Sequence, residues 1–101
     1  MERIVRLAED LIPAMLSGDK QVTIRKGVRE YEPEIEIAGY PAVVDSVEHY
    51  QLEAVPFEIL LSDGFESFTD TLVRMERFYP DITAETMVTV LRFHLKEEVP
   101  A

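Results

Sequence analysis

The chain has no cysteine and only two histidines, and its basic residues number half its acidic ones, ten against twenty. Without cysteine there is neither a disulfide framework nor a thiolate metal site. His49 and His94 have no companion histidine at a metal-ligand spacing, so no metal and no cofactor is expected. A run of about eighteen apolar residues, the minimum for a membrane span, is also missing. The opening MERIVRLAEDLI carries acids where a secretory signal has an unbroken apolar segment. A cytoplasmic protein without membrane partners, and a monomer, is the expectation. The net charge of -10 repels a phosphate backbone over about a Debye length, which argues against generic binding to duplex nucleic acid.

Within this acidic chain, one stretch runs the other way. Lys20, Arg25, Lys26 and Arg29, four of the ten basic residues, fall between positions 20 and 29, where no acid occurs. An anionic or polar ligand has to be met locally on such a molecule, and clustered cations can focus attraction even on an acidic body.

No repeat, low-complexity tract or linker divides the 101 residues, so a single domain over 1–101 is expected. MERIVRL suggests a short strand, and AEDLIPAMLSG a helical segment ended by Gly18. KQVTIRK predicts a strand with Val22 and Ile24 on one face and Thr23 and Arg25 on the other. PEIEIAGY and PAVVDSVEHYQL follow as further strands, with the glutamates at 30, 32, 34 and 36 forming an exposed face. A short helix within VPFEILLSDGF ends at Asp63-Gly64. The next helix, ESFTDTLVRMERFY, aligns Phe68, Leu72, Met75 and Phe78 or Tyr79 on one stripe, and Pro80 stops it. ETMVTVLRFHL closes the series as a strand. Short strands interrupted by helices in so small a chain predict an α+β fold with a strongly curved or closed sheet.

The succession LIPAMLSGDKQVTIR, DGFESFTDTLVRMERFYP and VTVLRFHL resembles the ASCH domains of the PUA-like superfamily over most of the chain. The most specific part is Gly18, Lys20, Thr23 and Arg25 in a G-x-K-x-x-T-x-R register; Asp63-Gly64-Phe65 is the second motif. The resemblance implies a PUA-like small β-barrel with two flanking helical segments. It extends to the small N4-acetylcytidine amidohydrolases of that superfamily, and so implies Lys20, Thr23 and Asp63 as catalytic residues. In those enzymes the acid is a glutamate, one methylene longer than Asp63. Their usual Gly-Asp turn after the motif strand is replaced here by Pro33-Glu34.

The chemistry has its own logic. A threonine hydroxyl is a weak nucleophile and needs a base; a lysine amine with a lowered pKa can supply one. Lys20 stands three residues before Thr23, opposite in strand parity, so it has to reach Thr23 from the Gly18-Asp19 turn. A protonated Asp63 can deliver a proton to the departing amine, and Arg25 can hold a carbonyl oxygen, a base edge or a phosphate. Lys26, Arg29 and Phe65 complete the expected substrate-binding set, Phe65 by stacking on a base. Thr23 and Arg25 equally suit an ordinary strand surface, and Asp63 an ordinary turn. Two functions follow. One is a hydrolase cleaving the amide of a small acylated nucleoside. The other is a non-catalytic module for nucleotides or single-stranded RNA, bound along residues 20 to 29. The acidic net charge favours the first, because a free nucleoside has no phosphate to be repelled.

Overall fold

The computed structural model describes residues 1–18 and 21–96. Five strands and three helices run in the order β1 (Glu2–Val5), α1 (Ile12–Leu16), β2 (Val22–Lys26), β3 (Tyr31–Ile37), β4 (Tyr40–Gln51), α2 (Phe57–Ser62), α3 (Phe68–Glu76) and β5 (Met87–Leu95). The strands form one mixed sheet in the order β1-β3-β4-β5-β2, curved into the half-barrel of a PUA-like α+β fold. Only β1 and β3 run parallel; the other pairs are antiparallel.

The alternation in β5 organises the interior. Val88 and Val90 join Val22, Ile24, Leu52, Ile59, Leu60 and Met75 in a core on one side of the sheet, completed by Phe68, Leu72 and Tyr79 of the α3 stripe. Leu91 and Phe93 join Val5, Met15, Tyr31, Ile35, Ile37 and Ala42 in a second core on the other side. Burial on both faces accounts for the unbroken apolar run VTVL in this strand. Of the two aromatics expected to end the α3 stripe, Tyr79 packs against the core, whereas Phe78 is 69% exposed.

Local chemistry sets the element ends. Ser67 caps α3, its hydroxyl accepting from the Asp70 amide at 3.0 Å. Helix α2 ends at Gly64, whose φ of 91° is strained for a side-chain-bearing residue, and the Phe65 amide returns to the Leu60 carbonyl at 2.9 Å. Helix α1 stops in the same way at Gly18, with φ at 87°. Strands β3 and β4 are joined by the two-residue turn Ala38-Gly39, with φ of 51° and 88°. Pro33 and Glu34 stand within β3 rather than in a turn. They fall where the register between β1 and β3 breaks, Glu2 facing Tyr31 but Ile4 facing Glu36. Proline lacks the N–H a regular ladder needs, and an irregularity of this kind accommodates it. Among the described residues no helix is long and apolar enough to cross a membrane.

Candidate active site

Strand β2 is an edge strand whose one ladder is with β5, in the register Val22↔Arg92, Thr23↔Leu91, Ile24↔Val90, Arg25↔Thr89. The faces are those that parity predicts: Val22 and Ile24 pack in the core beneath α2 and α3, while Thr23 and Arg25 share the other face with Leu91 and Thr89. Thr23 does not line an open cleft, however, and is only 5% exposed. Both faces of β2 are covered, since the second core closes over the side that a simple two-layer arrangement leaves to solvent.

Three threonines are buried among the described residues, Thr23, Thr71 and Thr89. The Thr71 hydroxyl donates to the Ser67 carbonyl at 2.8 Å. That of Thr89 donates to the Gly27 carbonyl at 2.7 Å and accepts from the Arg29 amide at 2.9 Å. The Thr23 hydroxyl has no hydrogen-bond partner among the described residues. The exception to the rule that buried polar groups are bonded lies two residues on, in Arg25. One terminal nitrogen donates to the Arg6 carbonyl, tying β2 to the end of β1, but its Nε is buried without a partner. Tyr31 lies in the second core, where burial raises its phenol above the usual tyrosine range. The carboxylate of Glu2 pushes the same way, and the Arg29 and Arg25 cations oppose it.

Lys26 and Arg29 are already paired with carboxylates. Lys26 Nζ pairs with Asp81 Oδ1 at 2.7 Å, and this hydrogen bond lowers the Asp81 carboxyl below its ordinary value. Arg29 pairs with Glu2 at 2.8 Å and donates through Nε to the Lys26 carbonyl. Parity also sets Lys26 on the opposite face from Arg25, so these residues form no continuous basic surface. Lys20 lies outside the described residues. Its neighbours Gly18 and Gln21 line a 260 Å³ depression together with Val22, Ser62 and Arg92. Asp63 directly follows Ser62 at the end of α2, so the turn before β2 and the Asp63 segment converge on one place. Phe65 is less available than expected. It packs against the core under α2 and α3, with the Arg74 guanidinium 6.0 Å from its ring centre.

A polar group on β4 and β5 has no counterpart in the sequence reading. Glu48 accepts from Arg92 Nε at 3.1 Å and from the Tyr50 hydroxyl. The Tyr50 bond, and then Arg92, hold the Glu48 carboxyl below its usual range, and the same bond raises the Tyr50 phenol. Nearby, an irregularity between Val44 and Ser46 frees Asp45 to meet His94 Nδ1 at 2.7 Å. The two-residue spacing of Glu48 and Tyr50 signals a shared strand face, but their meeting with Arg92 depends on a pairing that periodicity does not specify. Among the described residues no cluster of three His, Asp or Glu side chains is arranged to hold a metal ion.

No protein-family model matches the chain, and no curated protein matches it in sequence. Solved structures do share its fold. The hypothetical protein PH0355 superposes with a TM-score of 0.75 at 17% identity, covering 94% of this chain and 99% of that one. Protein EF3133 from Enterococcus faecalis, of the DUF984 family, superposes with a TM-score of 0.73 at 13% identity, over 100% of this chain and 84% of that one. ASCH from Zymomonas mobilis gives a TM-score of 0.63 at 17% identity, over 98% of this chain and 69% of that one. The architecture is therefore that of ASCH and DUF984 proteins.

Proposed function

We propose that this ASCH-like fold carries a hydrolase for the amide of a small acylated nucleoside, with N4-acetylcytidine as the type substrate. The observation that carries the reading is the buried Nε of Arg25, unpartnered among the described residues and on the same strand face as the Thr23 hydroxyl two residues away. In this reading the Lys20 amine takes the Thr23 proton as the hydroxyl oxygen attacks the acyl carbon. Arg25 Nε–H donates to the carbonyl oxygen as negative charge develops there, in a site dry enough to strengthen the bond. The C–N bond then breaks, Asp63 delivers a proton to the departing amine, and water releases the acyl group from threonine. Strand β2 has an open edge, and in this reading the acyl group enters from the Thr23 side of it.

The competing reading, a binding module for nucleotides or single-stranded RNA, loses support from the ion pairs of Lys26 with Asp81 and Arg29 with Glu2. A phosphate backbone would have to displace both carboxylates.

Incubation with N4-acetylcytidine tests the proposal through the cytidine released. Thr23→Ala is expected to abolish release, and Lys20→Arg to be nearly as damaging, since a guanidinium cannot act as the base. Asp63→Asn should slow release by a factor on the order of 10², and Asp63→Glu should speed it if the shorter acid is the handicap. Unchanged release by Thr23→Ala would sink this reading.

A further inference from the structure

Unlike Lys26 and Arg29, Arg25 meets no carboxylate among the described residues. Its side chain lies on the face that the second core covers, with one terminal nitrogen on the Arg6 carbonyl and Nε buried without a partner. A partly buried cation in that condition is costly until a ligand supplies negative charge. Tyr31 is the second polar group of this region. It is 6% exposed within the second core, and its hydroxyl has no hydrogen-bond partner among the described residues. Thr89, the cross-strand partner of Arg25, brings the two together. Its hydroxyl donates to the Gly27 carbonyl at 2.7 Å and accepts from the Arg29 amide at 2.9 Å, while His49 Nε2 donates to the Arg29 carbonyl at 2.9 Å. These bonds fold the loop after β2 back beside Thr89, and β3 starts from that loop at Tyr31. The Arg25 cation is near enough to act on the Tyr31 phenol, which burial keeps protonated and therefore able to donate.

Resting on the reading above that Arg25 faces the acyl carbonyl, we infer that the Tyr31 hydroxyl is a second donor to the same oxygen, and that the two form a site for a small oxyanion or carboxylate on the Thr23 side of the sheet. As the Thr23 oxygen adds to the acyl carbon, the π electrons of the carbonyl move onto its oxygen. The Arg25 Nε–H and the Tyr31 O–H meet the charge there by hydrogen bonding, and neither gives up its proton. When the C–N bond breaks, the carbonyl re-forms and the two donors return to a neutral acceptor. The acetate released at the end presents oxygens of the same kind carrying a full charge, so the site also holds the product.

Calorimetric titration of the whole protein with sodium acetate, against sodium chloride at the same ionic strength, tests the site without requiring turnover. Acetate is expected to bind, and Tyr31→Phe, which removes one oxygen and keeps the ring, to weaken it by about tenfold, the worth of one hydrogen bond to a charged acceptor. The Tyr31 hydroxyl has no partner in the fold, so Tyr31→Phe should leave Tm unchanged. With N4-acetylcytidine the same variant should lower kcat by a factor on the order of 10² and leave KM within about twofold, since the donor acts on charge that develops in the transition state. No acetate binding, binding that Tyr31→Phe leaves intact, or an active Tyr31→Phe protein with unchanged kcat overturns the inference. Tyr31-dependent acetate binding by a protein that releases no cytidine from N4-acetylcytidine supports it, and refutes the amidohydrolase reading instead.

Discussion

Replacing Thr23 by valine separates the chemistry of its hydroxyl from the packing of its side chain. Valine keeps the branched shape that a strand accommodates and exchanges only the hydroxyl for a methyl group. A hydroxyl buried without compensation costs about 1–3 kcal/mol in proteins. Thr23 retains 5% exposure and its oxygen is not among the fully buried atoms left unpartnered, so at most a small part of that cost is present in the native protein. Thr23→Val should therefore leave stability unchanged or raise it by up to about 1 kcal/mol, a rise in Tm of about 4–8 °C at the upper end for a domain of this size. Thr89→Val is the control. Its hydroxyl serves both the Gly27 carbonyl and the Arg29 amide, so its loss should cost about 1–3 kcal/mol. Thermal and urea unfolding of the three proteins, run beside cytidine release from N4-acetylcytidine, give the comparison. The expected pattern is a stable but inactive Thr23→Val. Destabilisation equal to that of Thr89→Val would show that the Thr23 hydroxyl holds the fold, and full activity would show that it is no nucleophile.

Two further outcomes follow from the geometry. Ala38 occupies a positive-φ position of the two-residue β3-β4 turn, where asparagine before glycine is preferred; Ala38→Asn should stabilise by roughly 0.5–1 kcal/mol in urea unfolding, and a loss of stability would refute the turn assignment. The Glu48–Tyr50 pair should contribute stability between the two ordinary pKa values of 4.5 and 10.0. Glu48 is lowered, so its share disappears as pH falls through its folded value; Tyr50 is raised, so its share disappears as pH rises through its own. Comparing Tm against pH for Tyr50→Phe and the unmodified protein checks this, and parallel profiles would contradict it.

The parity of β2 was legible in the sequence because Val22 and Ile24 alternate with polar residues, and that alternation fixes faces whatever lies above them. What covers the second face was not legible. The burial of Thr23 depends on β1, β3 and α1 folding over it, and a polar residue in a strand reads as solvent-facing until that layer is known. The charge run from 20 to 29 was misleading for a related reason. Its partners Asp81 and Glu2 lie 55 and 27 positions away from Lys26 and Arg29, and only the tertiary fold brings them within reach. Pro33-Glu34 stands where the resemblance has a Gly-Asp turn, and the broken register between β1 and β3 absorbs it within a strand. The Arg92–Glu48–Tyr50 group required knowing that β4 and β5 pair and in which register, information that two-residue periodicity does not contain.

Among the described residues strand β5 is the only ladder partner of β2, and it supplies buried residues to both cores. Chain order separates the pair by a long loop, for β3, β4, α2 and α3 all intervene. The entropy of closing that loop has to be met before Thr23 and Arg25 acquire a fixed position, so the site forms late in folding whatever the order of the earlier steps. Until then β2 is an unpaired strand carrying three apolar or β-branched residues in a row. Protection of its amides against hydrogen exchange, and the geometry of any chemistry at Thr23, thus depend on the same event, the docking of a strand that begins more than sixty residues further along the chain.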